Sequence, residues 1–208
     1  MEKSETEPLR RRNARGQGQL LRDQLIEAMA RLLSTVERPE TITLRQVARE
    51  VGVAPASIYG HFPNLGALIG HVLRLRYDEL TQQVNASAEG AGSAVADLTA
   101  RCHAYVKWGH EHPGDYATLF GNRMPTDLIP LSTHGAGEKL LESVVSSLAR
   151  ARAEQGWHIA EQQSWRAGLL LWTGLHGLVT LYNGHGAIDW PDLDDLTDEV
   201  IRLHVNRP

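Results

Sequence analysis

The chain's 208 residues allow one large or two small domains with a proper core, and its net charge of −4 at pH 7 argues at first against a polyanionic partner. The charge is unevenly placed, however: residues 1–76 hold 12 Lys and Arg against 8 Asp and Glu, whereas residues 77–208 hold 9 against 17. A basic head on an acidic body is the distribution expected of a nucleic-acid reader fused to a different module. The single cysteine, Cys102, excludes an internal disulfide framework and fits a reducing cytoplasm. The longest apolar run, around Leu169 to Tyr182, is interrupted by His176 and too short to span a bilayer, so no membrane partner is expected. No apolar stretch of signal-peptide type follows Met1.

Residues 1–18 lack apolar periodicity and carry Arg10, Arg11, Arg12 and Arg15. Such a basic arm either follows phosphates and enters a minor groove or serves as a solubilising tail. A helix is predicted from Gln19 to Thr35, with Leu21, Leu25, Ala28, Met29, Leu32 and Val36 at steps of three and four. Glu37-Arg38-Pro39 ends it, because the residue before a proline is pushed out of helical geometry.

The most informative stretch runs from Thr43 to Leu68. Leu44, Val47, Ala48 and Val51 share one face of a short helix, with Thr43 as N-cap and Gln46 completing a capping box. Gly52 stands where a helix closes on a left-handed residue. Pro55 suits the first position of a second helix, which buries Ile58 and Phe62 and turns Ala56, Ser57, Gly60 and His61 outward. Two short helices around a glycine turn form a unit that fits a DNA major groove.

This stretch resembles the TetR family of bacterial transcriptional regulators over roughly the first third of the chain. The matching elements are Thr43, Val47-Ala48, Gly52-Val53 and Tyr59-Gly60-His61-Phe62. Two departures stand out. Ala54 replaces the usual Ser or Thr cap, a change that typically costs about 1 kcal/mol. Leu65 replaces a lysine that contacts phosphate. Under this resemblance Arg45 reaches a base or a phosphate, and an arginine can pair bidentately with guanine. Thr43, Tyr59 and His61 become phosphate contacts, while Pro55, Ala56, Ser57 and Gly60 line the groove with small groups suited to thymine methyls. The ring of Tyr59 packing on the first helix is the competing placement, and for Arg45 it is a surface ion pair.

Further helices are predicted over 65–85, 95–112, 115–120, 135–155, 160–184 and 191–207. The whole reads as an all-α chain, with a helix-turn-helix DNA-binding domain of three helices at residues 19–64. A helical bundle for ligand binding and dimerisation follows at residues 65–208. The segment Leu65 to Asn85 links the two and is the natural lever for a signal. The helix from Ala160 to Gly184 is apolar around nearly its whole circumference, so it must be covered on both sides. Its Gly168, Gly174 and Gly177 each cost about 1 kcal/mol relative to Ala and imply a close approach by a backbone or a ligand.

Within it, Trp172-Thr173-Gly174-Leu175-His176-Gly177 resembles the W-x-x-x-H-G signature of one TetR C-terminal subgroup. The family resemblance implies a homodimer joined by the last two helices, with Gly168, Leu171, Leu175, Leu178, Leu196, Val200 and Leu203 as expected interface residues. Dimerisation also sets two reading helices about one DNA turn apart, matching a pseudo-palindromic operator.

A second function is small-molecule sensing. Tyr105, Trp108, Tyr116, Phe120, Met124, Trp172 and His176 are candidates to line an effector cavity, since ligand sites are mostly apolar with a few placed polar groups. Core packing is the competing role for each. No metal or other cofactor is expected: His110-Glu111-His112 do not face one way on a helix, and His134, His158, His185 and His204 have no ligand-like spacing. The expected function is a cytoplasmic repressor that binds operator DNA as a dimer and is released by an effector. The alternatives are a DNA-binding regulator whose body is only a dimer core, and an all-helical enzyme. The enzyme lacks support from any nucleophile–base set, and Cys102 on an apolar helix face suits inert packing.

Overall fold

The computed structural model describes residues 17–36, 38–121, 134–157 and 160–206. Helix α1 (Gln17–Thr35), α2 (Leu44–Val51) and a six-residue 3-10 helix (Pro55–Gly60) form the head, with a short 3-10 turn at Pro39–Thr41 between α1 and α2. The long α3 (Leu65–Ser87) leads into the body. The body comprises α4 (Ala94–Glu111), α5 (Pro113–Phe120), α6 (His134–Glu154), α7 (Glu161–Gly184) and α8 (Leu193–Val205). Side chains cap the first amides of α3 (Asn64), α4 (Ser93) and α8 (Asp192), whereas α5 and α7 start without one. Asp192 is thus the cap of the last helix rather than part of its first turn, because its carboxylate accepts from the amides of Asp194 and Asp195.

Two apolar cores divide the chain. Leu25, Met29, Val47, Ile58 and Phe62 belong to the head core, and Leu98, Val106, Leu148, Leu171 and Val179 to the body core. Helix α3 contributes to both, with Leu68, Ile69 and Val72 on the head side and Leu80 and Val84 on the body side. The head core therefore extends past the division expected at residue 64. Cys102 lies within the body core, where burial pushes its thiol up to about 12 and keeps it protonated.

The apolar circumference of α7 is split between two faces. Leu171, Leu175 and Val179 are buried in the protomer's own core. Gly168 lies against α6, where a Cβ would sit 2.5 Å from Val145 Cγ2, and Gly174 lies against α8, 2.9 Å from Val200 Cγ1. Gly168, Leu171 and Leu175, expected at a dimer interface, are thus taken up by packing inside one chain. On the opposite side Trp165, Leu169, Leu170 and Leu181 are exposed, as is Leu203 on α8, and a Cβ on Gly177 would meet open space. Leu178, Leu196 and Val200 are partly buried within the protomer.

Polar ties hold the body helices in register. Asp97 of α4 binds Arg101 at 3.1 Å, Arg150 of α6 at 2.7 Å, and the hydroxyl of Ser147. Between α4 and α8, His103 places Nδ1 3.1 Å from Asp194 and Nε2 2.7 Å from Asp198. Burial of the imidazole is the largest single influence and works to lower its pKa, but the two carboxylates together outweigh it and the net shift is upward.

Two consequences can be measured. Leu171→Ala empties a fully buried site and should cost about 2–5 kcal/mol of chain stability in urea unfolding, whereas truncating an exposed side chain, Leu20→Ala, should leave it nearly unchanged. The His103 clasp should contribute fully below pH 6.5 and fade as pH rises through the raised folded pKa. The unfolding midpoint of the wild type should accordingly fall above pH 6.5 relative to that of His103→Gln. Parallel pH profiles for the two proteins would contradict the clasp.

Candidate nucleic-acid interface and effector cleft

Local chemistry shapes the reading face. The Thr43 amide donates to Gln46 Oε1 at 2.7 Å, and the Gln46 amide donates to Thr43 Oγ1 at 3.3 Å, forming a complete capping box. Gly52 ends α2 with φ 77° and ψ 30°, a left-handed conformation that a Cβ would disfavour. The next element is wound more tightly than the expected α-helix. Pro55 has no amide to offer, Ala54 supplies no side-chain cap, and the bonds Ser57 N to Ala54 O and His61 N to Ile58 O span three residues.

This element is anchored from beneath by Ile58, which is fully buried, and by Phe62 beside it. The guanidinium of Arg22 lies 4.8 Å from the Phe62 ring centroid and donates to His71 Nε2 at 3.2 Å. Burial lowers the pKa of His71, and the charges of Arg22 and Arg74 add to the effect. His71 is accordingly a neutral acceptor for Arg22.

Above these anchors, Thr43, Arg45, Pro55, Ala56, Ser57, Tyr59 and Gly60 are exposed and His61 is half-buried. The Tyr59 ring is 61% exposed, so it does not pack on α1. No acidic side chain among the described residues forms an ion pair with Arg45. Near the start of α1, a Cβ on Gly18 would lie 3.9 Å from His61 Cε1, so the chain enters the fold beside the reading face. Arg10, Arg11, Arg12 and Arg15 lie outside the described residues.

A cleft of about 610 Å³ opens between α5 and the C-terminal half of α7, lined by residues that include Tyr116, Ala117, Phe120, His176, Thr180 and Asn183. Of the candidate ligand residues, Tyr116, Phe120 and His176 line it. Tyr105 and Trp172 are not among its lining residues but touch those that are: Trp172 Nε1 donates to Tyr105 Oη at 3.1 Å, Tyr105 Oη lies 2.9 Å from Tyr116 Oη, and Tyr116 Oη lies 2.6 Å from His176 Nδ1. The imidazole of His176 stacks on both Trp172 and Tyr116, with centroids 5.2 and 5.5 Å away. Burial lowers its pKa and keeps the ring neutral. Trp108 is a core residue instead, 1% exposed, because its position on α4 faces the centre of the bundle. Met124 falls outside the described residues.

Thr180 and Asn183 were missed by the sequence reading. Their signal was their spacing of four and seven residues from His176, which puts all three on one face of α7. Asn183 is already engaged, donating to the Gly109 carbonyl at 2.8 Å and lying 3.2 Å from His110 Nδ1.

Helix α5 connects the cleft to the head. Gly114, Tyr116, Ala117 and Phe120 line the cleft, and Gly114 is also so close to α1 that a Cβ would lie 2.4 Å from the Ser34 carbonyl oxygen. Thr118 Oγ1 donates to the Leu33 carbonyl at 3.2 Å. On the α3 side, Arg76 pairs with Asp115 at 3.3 Å and Tyr77 Oη donates to the Leu119 carbonyl at 3.2 Å. Helix α5 thus touches the head through α1 as well as through α3. Among the described residues no group of three His, Cys, Asp or Glu side chains could hold a metal ion, and no helix is long and apolar enough to cross a membrane.

Residues 98–204 match the family described as Tetracyclin repressor-like, C-terminal domain. The uncharacterized HTH-type transcriptional regulator Rv0681 of Mycobacterium tuberculosis is 29% identical over 191 residues, covering 88% of this chain and 80% of that protein. A solved structure of a protein with unknown function from Rhodococcus sp. RHA1 superposes with a TM-score of 0.74 at 24% identity, covering 96% of this chain and 100% of that one. The fatty acid degradation regulator FadR from Bacillus halodurans superposes with a TM-score of 0.70 at 18% identity, covering 88% and 94%.

Proposed function

We propose that this chain, which belongs to the TetR family of transcriptional regulators, binds a pseudo-palindromic operator as a homodimer and represses until a small-molecule effector releases it. The observation that carries the reading is α5, which lines the cleft with one side and touches α1 and α3 of the head with the other. An effector wedged between α5 and α7 moves α5, and α5 cannot move without changing its seat on the Ser34 carbonyl and the Arg76 side chain. The two heads of a dimer then change separation and lose simultaneous contact with both half-sites. Release requires that the effector bind the splayed state more tightly than the DNA-bound one, since equal affinity shifts nothing.

In this reading Arg45 contacts a base or phosphate, Thr43, Tyr59 and His61 hold the backbone, and Pro55, Ala56, Ser57 and Gly60 line the groove. Residues 10–15 supply further phosphate contacts, in keeping with α1 starting beside His61. The dimer surface is the exposed stripe of α7, Trp165, Leu169, Leu170 and Leu181, with Leu203 of α8. A second chain covering these side chains removes apolar surface from water, and Gly177 lets its backbone come close. The alternative of a body that serves only as a dimer core is disfavoured by the open cleft, which such a body has no reason to keep.

Binding to the DNA beside the chain's own gene tests the reading. Arg45→Ala should weaken binding by about 1–3 kcal/mol and relax sequence preference at one position of each half-site. Unchanged, sequence-indifferent binding by both proteins would remove specific recognition. Leu170→Asp should yield a folded monomer by light scattering, with operator affinity lost. A dimer that survives this change would locate the interface elsewhere.

A further inference from the structure

The hydrogen-bond chain behind the cleft has a direction, and the direction sets what the cleft can recognise. It begins at Trp172, whose indole nitrogen is only a donor, so Tyr105 Oη accepts there. The Tyr105 side chain is 2% exposed, and its own proton needs an acceptor because a buried hydroxyl donor left without one is costly. Its remaining partner is Tyr116 Oη at 2.9 Å. Tyr116 therefore accepts from Tyr105, as it does from the Thr180 hydroxyl, and sends its own proton to His176 Nδ1, 2.6 Å away. The reverse direction would leave Tyr105 Oη accepting twice with its proton unplaced.

A neutral imidazole that accepts at Nδ1 carries its proton on Nε2. His176 is thus held in one tautomer by three hydrogen bonds in series and by stacking on Trp172 and Tyr116. Nε2–H has no partner among the described residues, and the ring borders the cleft. Beside it lie Thr180, one helical turn along α7, and the apolar surfaces of Phe120 and Ala117. The described lining holds no Asp, Glu, Lys or Arg side chain.

We infer that the effector is an uncharged, largely apolar molecule bearing a carbonyl-type hydrogen-bond acceptor, which His176 Nε2–H recognises while Phe120 and the Tyr116 ring cover the apolar body. A carboxylate would lose its hydration in a wall with no cation to replace it, and an ammonium would face a donor rather than an acceptor. The inference rests on the cleft being the effector site.

Two measurements test it. Hydrogen–nitrogen correlation NMR of the imidazole rings, assigned with His176→Phe, should show His176 at neutral pH protonated on Nε2 and bare on Nδ1. In Tyr116→Phe, which keeps the ring but removes the proton donor, the two tautomers should mix. A Nδ1-protonated or doubly protonated His176 in the wild type would overturn the inference. For binding, three probes of similar shape are titrated calorimetrically: acetylnaphthalene, isopropylnaphthalene and naphthoate. The ketone should bind up to about tenfold more tightly than the hydrocarbon in the wild type, the difference of one net hydrogen bond, and equally in His176→Phe. Naphthoate should bind more weakly than the ketone. Equal binding of ketone and hydrocarbon, or tighter binding of naphthoate, would overturn the acceptor assignment while leaving the cleft as a ligand site. Failure of all three to bind would remove the cleft as effector site and this inference with it.

Discussion

Beyond the continuous helix α3, the packing that joins the two halves of the chain depends on the close seat of α5 on α1. Gly114 leaves no room for a Cβ against the Ser34 carbonyl, so the helix can approach to backbone contact. Arg76 and Asp115 add an ion pair on the other side, in a setting where burial raises the carboxyl's pKa and the arginine opposes that rise. Packed interiors respond to displacement by moving as units rather than by compressing. In the proposed release, a helix of eight residues held this tightly at one side and exposed to a cleft at the other transmits a shift instead of absorbing it.

The body achieves a similar economy with α7. One side of that helix is fixed against α6 and α8 by glycines that admit close backbone contact, and the opposite side keeps several large apolar residues in solvent. Toward its C-terminal end the same helix supplies His176, Thr180 and Asn183 to the cleft. Core, cleft wall and outward stripe thus share 24 residues of one element, and a change on any face is felt by the other two. The tie between His103 and the two aspartates of α8 keeps the neighbouring helix in place, adding a pH-dependent component to the charged ties that Asp97 makes.

The reading head and the cleft differ in how they are built. In the head, exposed residues stand on a rigid base of buried apolar side chains, and the short 3-10 helix is held by Ile58 and Phe62 as well as by its own hydrogen bonds. In the cleft, His176 is held by a polar series running back through Tyr116 and Tyr105 to Trp172. Burial raises the pKa of both Tyr105 and Tyr116, so neither phenol ionises and the series keeps its protons in order.

Sequence alone determined the features whose causes lie within a few residues. The capping box of Thr43 and Gln46, the left-handed Gly52, the inward pair Ile58 and Phe62, and the positions of the long helices are set by local hydrogen bonds and by apolar periodicity. Both can be read along a single strand of text. The tight winding at Pro55–Gly60 was less legible, because whether a short helix closes over three residues or four depends on the base it rests on. For α7 periodicity has nothing to say: apolar residues surround the axis, so only packing against α6 and α8 decides that Leu171 and Leu175 are core while Leu170 is exposed. The aromatic candidates were sorted the same way. Tyr105, Trp108, Tyr116 and His176 come from three helices, and their roles as support, core or cleft wall follow from how those helices cross, a relation between distant parts of the chain that tertiary structure alone supplies.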